Sequence, residues 1–245
     1  MLGFLLGALA QVHVAGKDMD VFGERGPAEK AARETDAAGA RFREIFGAAP
    51  RRGAVILTRE GRPVPDRDKD RAYFAHGAKW IWRWEAGRGA EPDTTMAHEL
   101  GHLWLLFWAD GPEPKTRQYG STLPDWIDEG FASLMEGETA RRLYSGAAKR
   151  LVRDGTRLPL ADLLGCIHPD SREKTDRPKA KDRLVFYTQS WSVVAFLEDR
   201  YGAAALRHLL EKIRSGKRVE DALGEKGLPK TLGDLDAEWE AWAAR

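Results

Sequence analysis

The chain has 245 residues with 39 basic and 38 acidic side chains, and its formal net charge is +1. This balance gives no reason to expect a nucleic acid or a charged membrane surface as a partner. The length allows one domain with a sizeable core, or one domain with two lobes across a cleft. The single cysteine, Cys166, excludes an intrachain disulfide and a cysteine-based metal site.

The first ten residues, 1–10, are apolar and end in Ala-Leu-Ala. They resemble the apolar region and cleavage site of a secretory signal, although no positively charged region precedes them. The alternative is a first buried segment that leads into a strand, and the residues weigh only slightly toward export. A segment this short does not span a bilayer, and we expect no integral membrane span.

Residues 11–110 are predicted to form an N-terminal α/β lobe. Apolar residues at helical spacing indicate a helix, whereas β-branched or alternating aromatic residues indicate strands. Trp80, Trp82 and Trp84 alternate in this way. The predicted elements are a strand within 11–22, a helix over 27–46, strands over 51–59 and 78–84, and loops over 60–72 and 87–93.

The next segment carries the most specific motif of the chain, His98-Glu99-x-x-His102. If residues 94–109 form a helix, the two imidazoles lie about 40° apart on one face, one turn from each other. At this spacing two neutral imidazoles can bind one Zn²⁺. Glu99 projects beside them, where its carboxylate can reach a metal-bound water without binding the metal.

The alternative is a helix whose two histidines are merely packed or hydrogen-bonded. The residues around the motif, Leu100 and 103–108, leave almost no polar face and so indicate a buried helix. Each buried ionisable group would cost several kcal/mol without a partner, and a metal with its water would satisfy all three. Gly101 costs about 1 kcal/mol relative to alanine, and a close approach by another backbone is one reason for it.

Residues 111–245 are predicted to form a mostly helical C-terminal lobe. A helix is expected over 123–133, with Ile127 and Phe131 on its apolar side and Glu129 on another face. Its other acidic residues, Asp125 and Asp128, are interpreted as cap and surface groups. Further helices are predicted over 138–153, 159–165, 183–201, 203–215 and 231–244, with a charged loop at 170–182.

Two histidines do not complete a tetrahedral catalytic zinc site, which needs a third protein ligand. The extended metzincin motif is excluded, because Leu105 and Trp108 stand where it requires a glycine and a third histidine. A carboxylate from a following helix is the other common solution. Glu129, 27 positions after the second histidine (129 − 102), is the natural candidate, with Asp128 and Glu136 as alternatives. Glu136, two turns further on, could instead support a metal ligand without binding the ion.

The motif HExxH at 98–102 followed by WxxEGxA at 126–132 resembles the gluzincin pattern, and specifically the peptidase-MA-like domains. The likeness covers roughly residues 54–243 and is strongest at 95–136 and 186–202. It implies an α+β fold of thermolysin-like zincin architecture. In that architecture a small N-terminal mixed sheet and the active-site helix pack against a mostly helical C-terminal lobe, which carries the third ligand.

The same resemblance implies a zinc-dependent metallopeptidase that acts on peptide or protein substrates. In it, His98, His102 and Glu129 bind Zn²⁺, and Glu99 is the catalytic base. One departure concerns Ser133, because thermolysin-like enzymes place there an aspartate that orients a histidine. The groups that orient the two imidazoles therefore stay unassigned.

The oxyanion formed in acyl transfer needs a hydrogen-bond donor besides the metal. Related enzymes often supply a tyrosine from a helix across the cleft, which makes Tyr187 the candidate, with a core position as the alternative. His168, beside Pro169, is the second candidate, although a histidine in such a loop is more often a surface residue.

The leading function is hydrolysis of peptide bonds by Glu-assisted attack of a metal-bound water. The alternatives are a zinc hydrolase of another amide or ester and a noncatalytic, metal-stabilised binding domain. Glu99 weighs against the last, because a structural zinc site is usually four-coordinate and closed. Trp126 and strand 78–84 could line the cleft, and that strand could offer an edge to an extended peptide; core positions are the alternative for both.

Overall fold

The chain folds into a small mixed sheet near the N-terminus followed by a mostly helical remainder. This α+β class agrees with the expectation from the sequence. The signal-like segment 1–10 and the predicted loops at 60–72 and 87–93 lie outside the described residues. The computed structural model describes residues 12–58, 79–85, 94–111, 123–171 and 175–245.

The sheet has four strands in the order β1-β2-β3-β4. The first two pair antiparallel, and β3 then pairs in parallel with both β2 and β4. Segment 11–22, predicted to hold one strand, contains the first and most of the second, because the chain turns at residues 16–18. The strands are β1 at Val12–Ala15, β2 at Met19–Gly23, β3 at Gly53–Thr58 and β4 at Ile81–Glu85.

Helix α1, Arg25–Phe46, connects the parallel strands β2 and β3. It ends at Gly47, whose φ of 69° lies in the left-handed region that glycine adopts without strain. Its apolar face packs on the sheet and on the helix that follows β4, which confirms the helix predicted over 27–46. The largest buried side chains of this face are Phe42, Ile45 and Phe46.

Helix α2, Thr94–Asp110, carries the HExxH motif and packs against helix α3, Asp125–Leu134. A Cβ at Gly101 would lie 2.7 Å from the Cα of Ala132, so only glycine lets the two helices approach this closely. This contact confirms the prediction that another backbone approaches the helix closely at its internal glycine.

Helix α3 lies between α2 and a long C-terminal helix, α6, Arg183–Tyr201. A Cβ at Gly130 would lie 2.4 Å from the carbonyl oxygen of Ser190, so a second glycine brings α3 against α6. All ten residues of α3 are buried as a result. The helix therefore has no solvent-exposed face, contrary to the interpretation of Asp125 and Asp128 as surface groups.

The remaining helices agree closely with the predicted ones. Within the described part of the chain, none combines the length and apolar character needed to cross a membrane. The remaining α-helices are α4 at Glu138–Arg153, α5 at Leu160–Gly165, α7 at Ala203–Arg214 and α8 at Leu232–Ala243. A 3₁₀ turn lies between the last two, at Val219–Ala222.

Candidate metal centre

Helices α2 and α3 bring three metal-binding side chains together. The Nε2 atoms of His98 and His102 are 3.0 Å apart, and Oε2 of Glu129 lies 3.3 Å from the first and 3.6 Å from the second. In a tetrahedral zinc site with bonds of about 2.0–2.1 Å, adjacent ligand atoms are about 3.3 Å apart. The triangle formed by these atoms therefore fits a single ion of this kind.

The three side chains differ in their access to solvent. The Glu129 side chain is 1% exposed, that of His102 5%, and that of His98 12%. His98 is therefore the most exposed of the three. Among the described residues this group offers three protein donors, the number typical of a catalytic zinc site, whereas a structural site usually has four.

Two carboxylates orient the imidazole rings. Nδ1 of His102 lies 2.8 Å from Oδ1 of Asp128, and Nδ1 of His98 lies 2.7 Å from Oε1 of Glu136. A carboxylate only accepts hydrogen bonds, so each ring donates its Nδ1–H to it. In a neutral ring, the lone pair is then on Nε2 and points at the shared centre. Without a metal, a proton on one Nε2 forms a hydrogen bond to the other across 3.0 Å, and a bound cation would take the place of that proton.

These contacts correct part of the sequence interpretation. Asp125 and Asp128 were expected as cap and surface groups, yet they are only 4% and 5% exposed. The expectation is wrong because α3 is enclosed by α2 and α6. Its polar side chains can therefore contact only other buried groups. Glu136, just beyond the end of α3, orients His98. Ser133 Oγ also lies 3.4 Å from Nδ1 of His98.

The carboxylates change the protonation of both rings. Burial lowers the pKa of His98, but hydrogen bonds to Glu129 and Glu136 outweigh this effect and raise the pKa to about 10. Burial also lowers the pKa of His102, and the charge of Asp128 with its hydrogen bond raises it overall. Without a metal, the carboxylates therefore keep His98 protonated at neutral pH and favour the protonated form of His102, and a metal has to compete with these protons.

A further tyrosine lies behind Glu136. The hydroxyl of Tyr144 on α4 donates to Oε1 of Glu136 at 3.3 Å. Burial and the negative charge of Glu136 raise the pKa of Tyr144 to about 12, so its hydroxyl stays protonated at neutral pH. Tyr144 thereby helps to hold the carboxylate that orients His98, a role for which the sequence offers no motif.

His168 and Tyr187 lie next to the third ligand. Nε2 of His168 is 3.5 Å from Oε1 of Glu129 and 2.8 Å from the hydroxyl oxygen of Tyr187. His168 is 1% exposed, so the surface position considered as the alternative for this second candidate is wrong. Burial lowers its pKa, which favours a neutral ring. Asp125 causes this placement, because its Oδ2 accepts the backbone N–H of His168 at 2.7 Å.

Glu99 is half-buried on α2, between the two histidines in sequence. Tyr187 is half-buried on α6. Their catalytic roles stay predictions, as does zinc as the resident ion. The structure brings His98, His102 and Glu129 together, with Tyr187 connected to the group through His168.

Trp126 does not have the surface position that a cleft residue needs. It is 1% exposed and belongs to the main hydrophobic core, which favours the core alternative. The strand tryptophans Trp82 and Trp84 are half-buried in β4, the last strand in the described sheet order. Trp80 precedes this strand, and its Nε1 donates to the carbonyl oxygen of Arg51 at 2.9 Å.

Comparison with known proteins adds no family assignment. No protein-family model matches the chain, and neither does any curated protein.

Proposed function

We propose that this protein is a zinc-dependent metallopeptidase of the gluzincin type, in which His98, His102 and Glu129 bind the ion. One observation carries the proposal. Two imidazole nitrogens from α2 and one carboxylate oxygen from α3 converge at separations of 3.0, 3.3 and 3.6 Å. Residues 27 positions apart in the sequence (129 − 102) thus form the donor set that the motif calls for.

The chemistry of the donors favours zinc. Two neutral imidazoles and one carboxylate, the donors that the described residues offer, form a set found in zinc peptidases. Calcium and magnesium prefer sites built from oxygen atoms, whereas imidazole suits zinc and its transition-metal neighbours. Asp128 and Glu136 increase the basicity of the two rings through their Nδ1–H groups and so strengthen metal binding.

A bound zinc ion would act as a Lewis acid and lower the pKa of a coordinated water to about 7. Glu99 would take a proton from the attacking water and pass it to the leaving amine. The hydroxyl of Tyr187 would donate a hydrogen bond to the oxyanion of the substrate.

The test combines metal analysis of the purified protein with an unbiased peptide-library digest, with and without a chelator. We expect about one equivalent of zinc, cleavage of peptides, loss of cleavage on chelation and recovery on addition of zinc. A panel of small esters and amides is the control for specificity. Turnover of these compounds without peptide cleavage would indicate another zinc hydrolase, and one equivalent of zinc with no turnover would indicate a binding domain.

A further inference from the structure

His168 is held by two hydrogen bonds from backbone N–H groups, and the one that reaches its ring determines its tautomer. Its own N–H donates to Oδ2 of Asp125, and the N–H of Asp170 donates to its Nδ1 at 3.0 Å. A nitrogen that accepts a hydrogen bond carries a lone pair, so Nδ1 is unprotonated and the proton of the neutral ring is on Nε2. This is the opposite tautomer to that of His98 and His102.

The tautomer determines the direction of the next hydrogen bond. Nε2–H of His168 lies 2.8 Å from the oxygen of Tyr187 and 3.5 Å from Oε1 of Glu129, so the phenol oxygen is the closer acceptor. A hydroxyl that accepts from His168 directs its own proton elsewhere. The same protonated Nε2 has no lone pair for a metal, which argues against His168 as a fourth ligand.

We propose that His168 is a positioning residue, which donates to Tyr187 and so holds the phenol proton ready for the substrate oxyanion. The inference depends on the proposed function, because it assigns a purpose to the Tyr187 hydroxyl. Asp125 connects this unit to the metal centre, since it anchors His168 from the first turn of α3, four residues before Glu129. Helix α3 therefore positions both His168, the donor to Tyr187, and Glu129, the third metal ligand.

The ring of Tyr187 is restrained from another direction as well. The guanidinium carbon of Arg183 lies 5.6 Å from the centre of the ring, within the range of a cation–π contact. Arg183 also forms an ion pair of 2.9 Å with Oδ2 of Asp170, the residue whose N–H fixes the tautomer of His168. The ring is thus contacted by Arg183 at the start of α6 and the hydroxyl by His168, and Asp170 interacts with both of these residues.

The first test is the tautomer itself, measured on the zinc-loaded wild-type protein by long-range ¹H–¹⁵N correlation NMR. We expect a protonated, pyrrole-type Nε2 and an unprotonated, pyridine-type Nδ1 for His168. His98 and His102 serve as internal controls, because their Nδ1 atoms face carboxylates and should give the reverse pattern. A protonated Nδ1 in His168 would overturn the proposal.

The second test compares steady-state kinetics of His168→Phe, Tyr187→Phe and the double variant on the best peptide from the library digest. Each single variant should lower kcat by about 10²-fold, the effect of losing one oxyanion donor, with KM nearly unchanged. The double variant should be little slower than Tyr187→Phe, because His168 acts through that hydroxyl. Additive effects or an unchanged kcat in His168→Phe would contradict the proposal.

Two further variants separate positioning from folding. His168→Gln retains an N–H donor near the position of Nε2 and should recover part of kcat. His208→Phe is the matched control, since His208 pairs with Glu225 at 2.6 Å, and it should behave as wild type. Loss of zinc from His168→Phe would show a structural role and overturn the proposal. If wild type binds zinc but cleaves no peptide, the proposed function fails and the inference with it.

Discussion

The role of Glu99 depends on its carboxylate alone. Glu99→Gln keeps the size and position of the side chain but removes the base, so zinc should stay bound while kcat falls by about 10²–10⁴-fold. Metal content and kcat measured on the same preparation check this expectation. A variant that retains both zinc and wild-type turnover would remove Glu99 from the mechanism.

Glu129, on α3, is the one carboxylate in the proposed set of three metal ligands. Glu129→Ala should lower zinc affinity strongly, because it removes one of three protein donors whose atoms lie within 4.8 Å of one another. Competition with a chromophoric chelator measures this affinity. Glu138→Ala, at an exposed position near the start of α4, is the control. Unchanged zinc affinity in Glu129→Ala would move the third ligand to Asp128 or Glu136.

Asp128 illustrates how a neighbour of a ligand affects metal binding without touching the ion. Its hydrogen bond orients His102, so Asp128→Ala should weaken zinc binding by about 10–100-fold, the usual effect of removing such a partner. Asp154→Ala removes a surface aspartate whose partner is Arg153 and should leave the affinity unchanged. Equal zinc affinities in these two variants would contradict the orienting role of Asp128.

At the level of the helices, two glycines determine how closely the ligand-bearing elements approach. Gly101 and Gly130 stand where a Cβ would collide with a neighbouring helix. Because α3 is packed on both sides in this way, its acidic residues at 125, 128 and 129 are all buried. Each of the three then lies against a histidine of the site, which compensates part of the cost of burial.

Gly101→Ala tests this packing. Its Cβ would lie 2.7 Å from Ala132 Cα, so α2 and α3 must separate, and we expect a loss of about 1–3 kcal/mol in the free energy of unfolding together with weaker zinc binding. Gly146→Ala on α4 is the matched control. Its nearest neighbour would be 3.7 Å away, and alanine there should stabilise by up to about 1 kcal/mol. Urea unfolding of both variants, with and without zinc, measures these effects, and equal stabilities would contradict the packing argument.

For the whole molecule, the protons held at the metal centre couple stability to pH. The pKa of His98 is raised from 6.5 to about 10 in the metal-free protein. A group whose pKa is raised on folding stabilises the folded state fully when the pH is below its pKa in the unfolded chain. This contribution is lost as the pH rises through its pKa in the folded protein. The contribution of His98 to the free energy of unfolding of the metal-free protein should therefore be lost between about pH 6.5 and pH 10.

Zinc binding should show the same coupling. Because His98 is protonated at pH 7.5 in the metal-free protein, zinc must displace at least one proton, and its affinity should rise with pH below about 10. Calorimetry in two buffers with different ionisation enthalpies measures the number of protons released. Binding without proton release would contradict the protonated state of His98.

The local features of this chain follow from residues close together in sequence. The helices at 27–46, 138–153 and 183–201 were predicted almost to the residue, because apolar spacing at three and four positions is a property of one segment. The same reason explains the pair His98 and His102, since helix geometry alone places them on one face.

The contacts that turn the motif into a site depend on how the segments pack. Asp128 meets His102, Glu136 meets His98, and His168 meets Tyr187, across 26, 38 and 19 positions of the chain. No periodicity encodes these distances. They result from the close approach of α2, α3 and α6 at glycines, and from a loop tied to Asp125 by one backbone hydrogen bond. Side-chain packing in three dimensions decides which polar residues are buried, so the sequence predicts Glu129 as a ligand but gives Asp125 and Asp128 as cap and surface groups, and only the folded protein shows their contacts with His168 and His102.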